Sequence, residues 1–180
     1  MAARDDADTA EAAEALAPSP RRHPWAPESF DKLLAVAALV LLAAVLAALT
    51  RGFPEWGRVP AVIWAHIATI LVAVALTPIM LLRPRGDRLH RALGWIWASA
   101  LFLAALLSFA VTAINPGHWS YIHLLSLFTM GQVPFIVLAA RRHNWKRHRS
   151  AVRGMVTGGL VVAGFFTLTS ERLLGHWLFG

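Results

Sequence analysis

Cysteine is absent from the chain, and acidic residues are few: 10 Asp and Glu stand against 17 Lys and Arg in 180 residues. The absence of cysteine excludes disulfide bonds, iron–sulfur clusters and thiolate-ligated haem. Charged residues make up only 15% of the chain, whereas 57% of the residues are hydrophobic. Such a composition leaves too little polar surface to cover a soluble globule, so it predicts a membrane protein.

Five long apolar runs provide candidate membrane spans. Crossing a hydrocarbon core of about 30 Å takes roughly 20 apolar residues, and the runs cover residues 33–50, 60–82, 92–114, 119–140 and 151–169. No Asp or Glu lies inside these runs, which disfavours a proton-coupled transporter. Because lipid cannot pair with backbone polar groups, the runs predict helices and an all-α integral membrane protein. We expect a disordered cytoplasmic tail over 1–29, an anchor helix over 30–52 and a four-helix membrane domain over 60–172.

The basic residues alternate between the two sides of the expected membrane. Fourteen of the 17 lie in the N-terminal tail and in the loops at 83–91 and 141–153, and three lie in the other segments. The positive-inside rule places the N-terminus and these loops in the cytoplasm, as in a multi-pass protein of the bacterial inner membrane. This distribution explains the net charge of +7 better than a nucleic-acid partner does. Tryptophans near the span ends, Trp97 among them, are expected to anchor at the interface.

An internal repeat relates the second and third spans to the fourth and fifth. Residues 64–70 match 121–127, and residues 88–91 match 146–149, at an offset of 57 to 58. The repeat aligns His66 with His123 and His90 with His148. Two hairpins running in the same direction would be related by an axis along the membrane normal. The last four helices are therefore expected to form a duplicated-hairpin bundle with one histidine pair near each membrane face.

Two imidazoles at each level suggest one kind of ligand. Zinc needs three or four protein ligands, whereas a six-coordinate haem iron needs only two axial ones. We therefore expect one or two haem b groups, with iron ligands His66 and His123 near the outer face and His90 and His148 near the inner face. Arg91 and Arg149 are candidate partners of the propionates, although arginines at a cytoplasmic helix end are also the ordinary topology signal. His118 is a weaker alternative to His123.

The pattern His66, His90-Arg91-Ala92-Leu93-Gly94, His123 and His148-Arg149 resembles that of a family of uncharacterised bacterial membrane proteins over roughly residues 60–170. In design it also resembles the dihaem b-type cytochromes that move electrons from ascorbate across membranes and, more loosely, haem A synthase. The first resemblance implies only a membrane protein, whereas the resemblance of design implies haem-dependent electron transfer. The donor would be a quinol or a cytoplasmic reductant, and the acceptor a periplasmic protein or molecule.

Three hypotheses remain open from the sequence. The first is a transmembrane electron carrier with two haems, which leaves open whether catalysis occurs at either surface. The second is a non-enzymatic scaffold or transporter component whose histidines form interhelical hydrogen bonds. The third is a single haem at the outer pair, with His90 and His148 contacting lipid headgroups.

Overall fold

The computed structural model describes residues 26–111, 121–169 and 172–180, and in these residues all regular structure is helical. Five helices are long and apolar enough to cross a membrane: α1 (Ser29–Arg51), α2 (Ala61–Leu82), α3 (Arg88–Ala110), α4 (Tyr121–Arg141) and α5 (Trp145–Thr167). A short 3₁₀ helix, Phe53–Arg58, follows α1, and a final short helix, α6, covers Leu173–Phe179. The expected all-α membrane fold is confirmed.

Successive helices run in opposite directions, which divides the molecule into two ends. The arginine-rich end contains the start of α1, the loop between α2 and α3, and the loop between α4 and α5. The opposite end contains the end of α1, the 3₁₀ helix, the start of α2 and α6. Residues 1–25 and 112–120, which include most of the expected tail and His118, lie outside the described residues.

Three helices, α1, α3 and α5, begin at least four residues earlier than the apolar runs suggest. The first starts at Ser29, where Glu28 and Asp31 form a capping box, and the fifth starts at Trp145, where the Asn144 side chain accepts a hydrogen bond from the Arg147 amide. Their first turns are charged, so hydropathy alone does not count them as part of a span. Side-chain caps satisfy amides that have no partner within the helix, which fixes these starting points.

The five long helices close a ring in sequence order. Each packs against its neighbour along the chain, and α1 packs against both α2 and the middle of α5. The first helix is therefore a structural member of the bundle, a role that its place outside the repeat did not reveal. The short helix α6 also packs against α1, at the opposite end.

The middle of α5 is a π-helix over Met155–Val162. π-Helical turns are rare and change which side chains face the bundle. Here Met155 and Val156 are fully buried in the core. A Cβ at Gly159 would collide with the end of the Met155 side chain, so the glycine leaves room for that methionine.

A buried hydrogen bond joins α2 and α3 inside this core. Trp97 donates from Nε1 to Thr77 Oγ1 over 3.0 Å, and Trp97 is only 4% exposed. The expectation that Trp97 anchors at the membrane interface is therefore wrong. Its indole N–H finds a partner inside the bundle, which removes the usual reason for a tryptophan to stay at the headgroup level.

Candidate functional site

His90 lies in the first turn of α3, at the arginine-rich end. The turn is fixed by the N-cap Asp87, whose Oδ1 accepts a hydrogen bond of 2.6 Å from the His90 amide. This hydrogen bond, together with the Arg83 guanidinium, holds the pKa of the Asp87 carboxyl below its usual range. The His90 ring is half-buried, and its Nδ1 is fully buried without a hydrogen-bond partner among the described residues.

His148 occupies the corresponding turn of α5. Its Nδ1 donates to the backbone carbonyl of Ile136 in α4 over 3.1 Å. A carbonyl can only accept, so in the neutral ring the proton is on Nδ1 and Nε2 keeps its lone pair. The His90 and His148 rings lie within electrostatic range of each other. These two histidines belong to helices that are not neighbours in sequence.

His66 is anchored in a similar way near the opposite end. Its Nδ1 donates to the carbonyl of Ala104 in α3 over 2.9 Å, which again leaves Nε2 with a lone pair. The backbone at His123 belongs to α4, but the His123 side chain lies outside the described residues. The outer pair therefore stays a prediction.

The two arginines expected near the propionates have protein partners. Arg91 donates to the carbonyl of Gly86 in the preceding loop over 2.7 Å. Arg149 forms ion pairs with Glu28 and Asp31 at the start of α1. Their role in binding a cofactor stays a prediction, and the contact with α1 is a function that sequence reasoning missed.

The carboxylate of Asp31 is the centre of this missed contact. It is 1% exposed and is held by Arg85, Arg149 and Arg153 at 2.8, 2.6 and 2.8 Å. The expectation of no carboxylate inside a span is therefore wrong, because α1 begins before its apolar run. The sequence Glu-x-x-Asp directly ahead of an apolar run, with an excess of arginine at the same membrane side, is the signal that could have found it.

Glu28 completes a charge cluster with Asp31 and the three arginines Arg85, Arg149 and Arg153. It pairs with Arg149 and, at 2.7 Å, with Arg153. Its hydrogen bond from Arg153 holds the pKa of the Glu28 carboxyl below its usual range. Its amide also donates to Asp31 Oδ2 over 3.0 Å. Each oxygen of both carboxylates accepts from at least one arginine, so the cluster joins helices through charge-assisted hydrogen bonds.

The histidine pair borders this cluster, since His90 lies within electrostatic range of Arg85. Across the described ranges, no three His, Asp or Glu side chains are grouped as a metal ion would need. His90 and His148 therefore have no third such side chain grouped with them among the described residues. Two imidazoles fall short of a zinc site and match the axial ligands of a six-coordinate haem iron.

Comparisons with family models, curated proteins and solved structures find no match to this chain. The function must therefore be argued from the site itself.

Proposed function

We propose that this protein carries electrons through the bacterial inner membrane on a haem b held between His90 and His148. The proposal is carried by one observation: the rings of His90 on α3 and His148 on α5 lie within electrostatic range of each other at the arginine-rich end. In this proposal that end faces the cytoplasm, because basic loops are retained there. The donor is a quinol or a cytoplasmic reductant, and the acceptor is periplasmic.

Two features of the histidines at this level support axial ligation of a haem. Histidines that bind metal usually donate their second ring nitrogen to a carbonyl or carboxylate, as His148 does to Ile136. That contact orients the ring and leaves Nε2 as the donor atom. His90 has a buried Nδ1 without a partner in the described part of the chain, so no competing protein contact fixes its ring through that nitrogen.

Bis-imidazole ligation determines the kind of chemistry. A haem with two axial histidines supplies a one-electron couple and keeps no open iron position, which favours electron transfer over oxygen activation. The neighbouring residues act electrostatically. Arg85 and Arg83 lie within range of His90, and the negative charge of Asp87 partly offsets them. The positive charge that remains near a haem would favour its reduced form.

A second haem between His66 and His123 extends the proposal across the membrane. It is supported by the His66 ring, which has the same carbonyl anchor as His148. Two haems, one near each face, would let an electron cross the bilayer in two steps. A single haem would only exchange electrons at one face of the membrane.

A visible spectrum of the detergent-purified protein tests the proposal. Dithionite should produce the α band of reduced b-type haem, and His90→Ala or His148→Ala should remove one haem equivalent. His143→Asn is the matched control: His143 lies in the adjacent loop with a φ of 52°, which asparagine tolerates, and it should keep the full band. A wild-type protein without a band, after expression with ample haem supply, would refute the proposal.

A scaffold is the second candidate, and the same histidine contacts favour it. His66 and His148 each donate to a carbonyl of a neighbouring helix, and polar contacts of this kind stabilise helix packing in membranes. In a scaffold, His148→Ala lowers the thermal stability of a haem-free protein. In the electron carrier, stability and haem content fall together, and added haem protects the wild type only.

The absence of cysteine makes the proposed orientation easy to test. Single cysteines at Arg142 in the loop after α4 and at Gly57 in the 3₁₀ helix can be labelled without background. Both residues are exposed. A membrane-impermeant maleimide added to intact cells should label Gly57→Cys and spare Arg142→Cys, whereas the reverse pattern would place the arginine-rich end outside.

A further inference from the structure

A groove runs along the first half of α5 at the arginine-rich end, beside the start of α1. Its volume is about 810 Å³. Within the described ranges, it is lined by Glu28 and Phe30 at the start of α1 and by residues of α5 between Trp145 and Gly158. None of the four candidate haem ligands lines it, whereas Glu28, Arg149 and Arg153 of the charge cluster do, so the groove lies beside the histidine pair and shares its wall with the charge cluster.

The part of the groove beside the start of α5 is basic. Lys146, Arg149 and Arg153 line it, together with the carboxylate of Glu28. Arg85 and Asp31 lie behind the lining residues. With these two included, four positive charges and two negative charges surround this part of the groove. Lys146 rests on the Trp145 ring at 5.6 Å and forms no ion pair within the described ranges. A net positive charge therefore remains for a ligand.

Away from the start of α5, the groove is apolar, and the α5 residues that line it have small side chains. It contains Phe30, and further along α5 it contains Gly154, Thr157 and Gly158. A Cβ at Gly158 would meet no atom within 4 Å, so the space beside this glycine is open. The groove thus leads from charged side chains at the helix start toward the middle of the span.

We propose that this groove binds an anionic phospholipid from the leaflet that meets the arginine-rich end. The phosphate lies against Lys146, Arg149 and Arg153, and an acyl chain follows Gly154 and Gly158. Basic pockets at helix ends select anionic headgroups, and each nearby cation strengthens the attraction. A zwitterionic lipid gains less because its own cation opposes these groups. Glu28 also faces the headgroup and limits how deep the phosphate can lie.

Native mass spectrometry of the full-length protein tests the site with phosphatidylglycerol and phosphatidylcholine. Phosphatidylglycerol should be retained about tenfold more strongly than phosphatidylcholine. Lys146→Gln should lower its retention about fivefold. Arg142→Gln, which removes the same charge from an exposed residue outside the groove, should leave retention unchanged.

A second pair of variants tests the apolar part. Gly158→Leu fills the groove and should weaken lipid retention, whereas Gly131→Leu on α4 is the control, because it also has open space and lies outside the groove. Equal retention of the two lipids, or equal effects within either pair, overturns the proposal. Excess inorganic phosphate that displaces the lipid would instead identify a site for free phosphate. These readouts do not depend on haem, so either proposal can fail alone.

Discussion

The two ends of the bundle are held together by different chemistry. At the arginine-rich end, one buried carboxylate, Asp31, joins α1 to the α2–α3 loop and to α5 through three guanidinium groups. At the opposite end, the contacts are aromatic. Trp56 packs edge-on against Trp64 with ring centroids 4.8 Å apart, and Trp64 lies 6.4 Å from Trp177.

Helix α1 takes part in both arrangements. Its start supplies Asp31, and its end supplies Gly52, against which the Trp177 ring packs. Trp177 also donates to Glu55 over 3.0 Å in the following 3₁₀ helix. The comparison teaches that a helix without a histidine can still determine the geometry of the histidine-bearing helices, because it closes the ring at both ends.

The largest effect is expected from breaking the buried charge contact. Asp31→Asn leaves three arginines without their central carboxylate and should lower the free energy of unfolding by about 3 kcal/mol, the lower part of the range for buried ion pairs. Thermal unfolding in detergent measures this loss. If the histidine pair depends on α1, the variant should also lose haem from the His90–His148 site.

Asp87→Asn is the matched control for Asp31→Asn at the same end. It removes the exposed ion pair to Arg83 at 2.6 Å, while asparagine keeps the N-cap of α3. Little change in stability is expected, because exposed ion pairs contribute little. If both variants lose the same stability, burial of Asp31 is not what makes the contact strong.

An intermediate effect is expected at the aromatic end. Gly52→Ala places a methyl group where the Trp177 ring lies, and should lower the free energy of unfolding by about 1–3 kcal/mol through overpacking. Gly57→Ala, in the same 3₁₀ helix region, meets no atom within 4 Å and should be tolerated. Equal melting temperatures for the two variants would show that Trp177 can move away without cost.

The smallest effect concerns pH at the arginine-rich end. The pKa of Glu28 is lowered in the folded protein by Arg153, so its stabilising contribution is complete above the carboxyl's ordinary pKa and is lost as the pH falls below that value. The melting temperature should therefore fall slightly as the pH is lowered. Glu28→Gln should remove its share of that shift, and an unchanged acid dependence would mean that Glu28 does not contribute.

Much of the fold could be predicted because membrane insertion depends on local properties of the chain. The five spans follow from the length of the apolar runs, and the starts of α3 and α5 follow from Asp87 and Asn144 as caps. The start of α1 carries a local capping signal, Glu28 and Asp31, but the burial of Asp31 could not be obtained in this way. Asp31 is polar in the sequence, and only its three partners, one of them 122 residues away, make its burial favourable.

The candidate site was predictable in its residue types and less so in its contacts. The repeat identified His90 and His148 as candidate ligands. No spacing in the sequence, however, indicates that the Ile136 carbonyl accepts a hydrogen bond from His148, or that the Nδ1 of His90 is buried without a partner among the described residues. Arg149 was predicted to bind a cofactor. A sequence does not distinguish an arginine that serves as a topology signal from an arginine that binds a carboxylate of the protein.

By itself, the sequence determined that this is a helical membrane protein with five spans, because the cost of placing unpaired backbone groups in lipid depends only on local composition. The tertiary structure decided that α1 closes the ring, that Asp31 is buried among three arginines and that His90 and His148 lie within electrostatic range of each other. Each of these depends on pairing between distant residues, and such pairing is set by how whole helices pack.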